Sequence, residues 1–242
     1  MSENSLNLYG SAILDYFNGN IEHSLVAVDE LGRKTEVPVK LFFREFDDFP
    51  AWEKRAVELA SGNVLDIGAG AGRHSLVLQE RGLAVCAIDI VPECVEVMKR
   101  RGVREALCAD VLEFDGGPFE TLMGAMNGLT MVQTLERLPA FLRGIRRLTS
   151  SHGQFLVDST DLRCSSDAAL KTLIEKKVRA GNYFGELTAR LEYKNRTGTL
   201  FRELFVDPET LRDVALDAGW NCEVVISQDN GRYLARLAPV VK

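Results

Sequence analysis

The chain has no excess of positive charge: 29 Lys and Arg stand against 35 Asp and Glu, a formal net charge of −6 over 242 residues. Nucleic-acid affinity comes largely from neutralising backbone phosphates, so this balance argues against a broad DNA- or RNA-binding surface and leaves room only for a local basic patch. No window approaches the roughly 18 uncharged apolar residues of a membrane span. The first ten residues, MSENSLNLYG, lack a basic segment followed by an apolar run, so neither a leader nor a membrane association is expected, and the cytoplasm is the expected location. No C-x-x-C pair occurs. Cys86, Cys94, Cys108, Cys164 and Cys222 are odd in number and mostly sit in apolar runs, which predicts buried, reduced thiols and no metal or redox centre. Internal repeats, low-complexity tracts and Gly-, Ser- or Pro-rich linkers are missing too. One domain is expected, and a chain of this length can bury roughly 70 to 75% of its unfolded surface.

What is present divides into four stretches. Residues 1–62 read as an N-terminal cap: a helical AILDYF, two strand-like runs SLVAVD and KTEVPVKLFF turning at Glu30 to Arg33, and a helix PAWEKRAVELA that Asp48 can cap and Pro50 can start. Residues 63–161 alternate strand and helix from NVLDIG to GQFLVD, with continuous apolar strands, which predicts a parallel sheet covered on both faces. Residues 162–206 read as an insertion after the fifth strand, a helix DAALKTLIEKKVR and a hairpin of LTARLEYK and TLFRELFV turning over Asn195 to Gly198. Residues 207–242 close the chain with a helix opened by Asp207-Pro208 and two strands, NCEVVIS and RYLARLAP, joined at Asp229 to Gly231.

The chemistry is concentrated at the first strand–helix turn, VLDIGAGAGR. Gly68, Gly70 and Gly72 are spaced G-x-G-x-G, and Arg73 stands where a dinucleotide fingerprint needs its third glycine. Asp66, two residues before the first glycine, would repel a pyrophosphate and welcome an ammonium group. Asp89 ends the next strand, where an acid can accept hydrogen bonds from both ribose hydroxyls. Asp110 ends the third. Each aspartate alone could simply cap a turn. Three of them at successive strand ends beside a glycine turn form one constellation.

These motifs resemble those of the class I S-adenosylmethionine-dependent methyltransferases: VLDIGAGAG is similar to that family's first motif, AIDI to its ribose-binding acidic motif, and CADV to its adenine-side motif. The resemblance spans about residues 40–240, and FFRE, LMGAMNG, VDSTD and NYFGEL are similar to stretches of bacterial stand-alone methyltransferases of uncertain substrate. It implies an α/β fold with a Rossmann-like seven-stranded mixed sheet, mostly parallel with an antiparallel last strand, helices on both faces, the N-terminal cap and the helix/hairpin insertion. It implies S-adenosylmethionine as cofactor and S-adenosylhomocysteine as product. Gly68, Ala69, Gly70 and Gly72 would floor the methionine and ribose portions, Asp66 would orient the turn and the methionine amine, and Asp89 would hold the ribose. Ile90, Asp110 and Val111 would meet the adenine, and Met126 and Asn127 the reacting centre. One departure is that MNGLT lacks a second glycine shortly after Asn127.

On the acceptor side, VDSTD supplies Asp158, Ser159 and Asp161 just beyond the fifth strand, as capping groups or as bases. Tyr183 and Phe184 are available to line a pocket or to fill a core. Arg44 can pair with the cofactor's carboxylate or with a neighbouring acid on the surface. His74 is expected at a solvated or cofactor-adjacent helix start, and His23 and His152 carry less weight. The reading is a methyltransferase acting on a small-molecule acceptor by in-line displacement, with a protein side chain as the other acceptor. A cofactor-binding protein without turnover and an NAD-dependent oxidoreductase are the alternatives.

Overall fold

The computed structural model describes residues 3–240. Seven strands form the larger sheet: β3 (Asn63–Ile67), β4 (Ala84–Asp89), β5 (Glu105–Cys108), β6 (Phe119–Gly124), β7 (Thr149–Thr160), β11 (Trp220–Ser227) and β12 (Arg232–Pro239). Their order is β11-β12-β7-β6-β3-β4-β5, and β12 alone runs antiparallel to its neighbours. Successive side chains on β3 face opposite ways, as the pleat requires. Val64 joins Trp52, Val57 and Leu78 from α2 (Ala51–Leu59) and α3 (Arg73–Glu80), whereas Leu65 joins Phe141, Leu142 and Leu211 from α5 (Leu138–Arg146) and α7 (Pro208–Asp217). A sheet apolar on both faces is thereby covered on both.

Helix ends follow local chemistry. In α4 (Pro92–Arg101), Pro92 occupies the first turn, Lys99 to Arg101 the last, and Gly102 exits left-handed at φ 98°. Asp207 caps α7 by accepting from the Thr210 N–H at 3.1 Å. Asp48 does not cap α2: Pro50 holds the cap position and no side chain takes the free N–H groups.

A second, antiparallel sheet is built from β1 (Leu25–Asp29), β2 (Lys34–Val37), β8 (Glu186–Tyr193), β9 (Arg196–Thr197) and β10 (Phe201–Leu204). Its order is β10-β8-β1-β2, with β9 also on β8. The cap and the insertion are therefore one sheet, sewn together where Ala27 pairs with Leu191. The KTEVPVKLFF strand stops at Val37 because Pro38 has no N–H to give a ladder, and residues 39–43 coil into a short 3-10 turn. The insertion hairpin turns at Lys194 and Asn195, both at positive φ (48° and 61°), a two-residue loop rather than one over 195–198. Gly198 serves another purpose. A Cβ there would collide with Ser5 Oγ, so this glycine lets α1 (Ser5–Phe17) lie against the small sheet.

The thiols are free but not uniformly buried. Cys86 and Cys94 are buried and Cys222 half-buried, while Cys108, at the end of the edge strand β5, and Cys164 are exposed. Among the described residues no helix is long and apolar enough to cross a membrane, and no three His, Cys, Asp or Glu side chains are grouped to hold a metal ion.

Candidate active site

Gly68, Gly70 and Gly72 all take positive φ, at 67°, 57° and 78°. The Gly68 and Ala69 N–H groups donate to the Ile88 carbonyl at 2.9 and 3.1 Å, which anchors the turn to β4. A Cβ on Gly70 would stand 2.8 Å from Tyr9 Oη, and one on Gly72 2.8 Å from Val103 Cγ2. Asp89 fastens the turn from the other side, accepting from the Gly70 N–H at 2.8 Å and from the Val91 N–H at 2.9 Å. Burial pushes its carboxyl up despite these donors. Asp66, also pushed up by burial, accepts from Ser75 Oγ at 2.5 Å.

The turn floors a cavity of about 390 Å³ whose roof is the inner face of the small sheet. Of the residues expected from sequence, Asp66, Gly68, Ala69, Gly70, Met126 and Asn127 line it. Asn127 is left-handed (φ 58°), its N–H donates to Asp158 Oδ2 at 2.8 Å and its Oδ1 accepts from Thr160 Oγ1 at 2.9 Å. Gly72 does not line the cavity but packs against Val103 and Met98, and Asp89, Ile90, Asp110 and Val111 lie outside it at the ends of β4 and β5, with Val111 buried in the core. There Ile90 is 55% exposed and Asp110 accepts from the Leu112 N–H at 2.9 Å, with Leu107 and Leu112 exposed nearby. The Ala109 N–H donates to the Asp89 carbonyl and so ties this exposed apolar ledge to the end of β4.

Four expected residues are elsewhere. Asp158 is interior to β7, which runs on through Thr160, and pairs with Arg232 at 2.6 Å; it positions Asn127 from behind and does not line the cavity. Asp161 caps a short 3-10 turn and pairs with Arg163 at 2.8 Å. The Tyr183 hydroxyl donates to Asp207 Oδ2 at 2.8 Å, which fixes it to the start of α7. Arg44 turns to Glu53 at 3.2 Å instead of into the cavity.

Arg73, not Arg44, is the arginine that lines the cavity. It is 3% exposed and donates to Glu53 Oε1 and to the Leu41 carbonyl, both at 2.7 Å. Its Nε is buried with no hydrogen-bond partner among the described residues. His74 is buried rather than solvated, with Nε2 3.4 Å from Glu53 Oε2. Burial raises the Glu53 carboxyl, but His74, Arg73 and Arg44 together outweigh it and hold the group below its ordinary value. Glu53, Tyr9 and Glu203 were not singled out from sequence. Only Glu203 left a signal there: Phe201, Glu203 and Phe205 share one parity in FRELF, an acid on the apolar face of a strand.

A glycine turn closing the first strand of a β11-β12-β7-β6-β3-β4-β5 sheet, with an acid ending the second strand, defines a class I methyltransferase fold. A family model described as a methyltransferase domain matches residues 65–157. A solved S-adenosylmethionine-dependent methyltransferase from Bacteroides fragilis, in complex with S-adenosylhomocysteine, is 34% identical, covers 98% of this chain and 96% of its own, and superimposes with a TM-score of 0.85. The chain belongs to the S-adenosylmethionine-dependent methyltransferase family. A ubiquinone biosynthesis O-methyltransferase from Xanthomonas oryzae is 30% identical over 43% of this chain and 45% of that protein. A cypemycin N-terminal methyltransferase from a Streptomyces species is 31% identical over 46% of this chain and 47% of that protein. The chain thus matches about half the length of these curated relatives.

The residues present fit the family's cofactor. The turn leaves a cradle that a Cβ at Gly70 would fill, and Arg73, whose buried Nε has no partner among the described residues, lines the same cavity.

Proposed function

We propose that the chain transfers a methyl group from S-adenosylmethionine to a small-molecule acceptor by in-line displacement. When bound, the cofactor supplies a methyl carbon activated by a positively charged sulfur. Residues 63–161 hold it, and 207–242 complete their sheet. The glycine turn lies under the methionine and ribose, Asp89 accepts from the ribose hydroxyls, and Ile90, Asp110 and Val111 carry the adenine on the open ledge. Asp66 and Asn127 orient the amine end, and Arg73, rather than Arg44, meets the carboxylate.

The observation that carries this reading is the cavity shared by the glycine turn and the small sheet. Residues 1–62 and 162–206 supply one apolar roof, which excludes water and aligns the nucleophile with the methyl carbon. A cavity of about 390 Å³ is at the small end of the usual ligand range, which favours a small acceptor over a protein segment. The two curated relatives are named for different acceptors, so the cavity itself has to supply that choice.

Calorimetry with S-adenosylhomocysteine and with NAD tests the cofactor. Binding of NAD alone would overturn the proposal. Transfer of labelled methyl groups into a metabolite extract separates an enzyme from a silent binder, and a protein that binds S-adenosylhomocysteine yet labels nothing would be the latter.

A further inference from the structure

The roof of the cavity carries one unexplained charge. Leu25 and Ala27 on β1, Ala189 and Leu191 on β8, and Phe201 on β10 present a continuous apolar surface, held in register by the pairs Ala27 with Leu191 and Ala189 with Phe201. Glu203, two residues beyond Phe201 on β10 and therefore on the same face, also lines the cavity. The other titratable groups that line it are Tyr9 from α1, Asp66 from β3, and Arg73 and His74 from α3. Neither cation pairs with Glu203: Arg73 donates to Glu53 and the Leu41 carbonyl, with its remaining donor assigned to the cofactor, and His74 lies beside Glu53. Burial alone pushes the Glu203 carboxyl up, and no donor or cation among the described residues pulls it back.

We propose that Glu203 is the residue that receives the acceptor, and that the acceptor presents a protonated amine on a small, largely apolar body. A carboxylate on an apolar wall is costly unless it is paired, and an ammonium group supplies both charge and hydrogen-bond donors, whereas an alcohol would leave the charge uncompensated. The same carboxylate can take a proton from R–NH3+, giving R–NH2 and a neutral carboxylic acid. The nitrogen then donates its lone pair to the methyl carbon, and the carbon–sulfur bond breaks with its pair passing to sulfur. The products are R–NH2–CH3+ and a neutral thioether, and the proton on Glu203 leaves to solvent. A carboxyl raised by burial is matched to that proton transfer better than an ordinary one.

This inference rests on the methyl-transfer reading, and the two fail separately. Calorimetry with S-adenosylhomocysteine comes first. Wild type and Glu203→Gln are expected to bind it equally, and absence of binding to wild type would remove the methyl-transfer reading itself. Benzylamine and benzyl alcohol, alike in size, are then titrated into the S-adenosylhomocysteine-loaded protein by ligand-observed NMR, with tritium transfer from S-adenosylmethionine counted for each. The expected result is that benzylamine binds about tenfold more tightly than benzyl alcohol and is the one labelled. Glu203→Gln then loses about tenfold in benzylamine affinity and most of the labelling, while Glu203→Asp keeps part of both. Glu203→Gln removes an uncompensated charge at constant shape, and a thermal melt confirms that it is folded. Benzylamine that does not bind loaded wild type, or that binds Glu203→Gln equally well, or labelling of the alcohol in preference, would overturn the proposal.

Discussion

The two sheets of this molecule are made differently. In the seven-stranded sheet the strands that carry the glycine turn are buried, and the acids at their ends are held by near neighbours: Asp66 by Ser75, and Asp89 by the Gly70 and Val91 N–H groups. The small sheet is half-buried and tied down by side chains from distant parts of the chain. Ser5 Oγ donates to the Thr199 carbonyl at 2.7 Å and accepts from the Leu191 N–H at 3.1 Å, and Asp15 accepts from Lys194 and Tyr193. The floor of the site is thus set by hydrogen bonds within one strand–helix–strand unit, and its roof by a few stitches between segments far apart in the chain. The floor should be stiff and the roof the part that opens, as the low-stability regions of enzymes commonly do.

The largest break in that contrast is expected from Glu53→Ala. It leaves Arg73 buried beneath the glycine helix without its counter-ion, at a cost of about 3 to 5 kcal/mol, so the melting temperature should fall by on the order of 10 °C. A melt within a degree of wild type would mean that the ion cluster is not what anchors the floor.

Asp89→Ala acts on the floor's ligand as well as on the turn. The variant loses the proposed charge-assisted hydrogen bonds from the ribose, worth about 1.5 to 3 kcal/mol each, and the carboxylate that fastens the Gly70 turn, so S-adenosylhomocysteine should bind at least about tenfold more weakly in a folded variant. An unchanged dissociation constant would remove Asp89 from the site.

Ser5→Ala tests the roof. It leaves the Leu191 N–H and the Thr199 carbonyl unpartnered, about 1 to 3 kcal/mol, so amide exchange should quicken in residues 186–204 and stay unchanged in 63–89. Equal acceleration in both segments would show that floor and roof open as one unit.

The smallest effect belongs to Glu203→Gln without ligand. Burial raises this carboxyl above its unfolded value, so its contribution to stability is fully present below the unfolded pKa and is lost as pH rises through the folded one. The glutamine variant escapes that loss. It should melt above wild type near neutral pH, with the gap closing on acidification towards about pH 4.

Much of the floor could be read from sequence because its causes are local. A strand ending in G-x-G-x-G, the run of Pro92 at a helix start and Gly102 at its end, and acids in or just after three successive strands each depend on a few neighbouring residues. Apart from the Asp48 cap and the exact hairpin turn, the missed features join different elements of the fold. Glu53 is 20 residues from Arg73, and the link between Asp158 and Arg232 that stiffens Asn127 crosses from β7 to β12. VDSTD looked like a loop beyond a strand because β7 is unusually long, and a strand's end cannot be told from a polar run when the partner strand is not known.

The residues themselves determined the alternating strand–helix core, its antiparallel ending and the glycine turn with its acids, since periodicity and turn chemistry act over short distances, and the resemblance those motifs carry supplied the seven-stranded sheet and the cofactor. Only the tertiary structure decided that the cap and the insertion are one sheet. The pairing of β1 with β8 joins segments some 160 residues apart, and nothing in either segment names its partner. That pairing brings Glu203 over the glycine turn and closes the cavity, because an alternating strand shows which residues share a face but not which surface that face will meet.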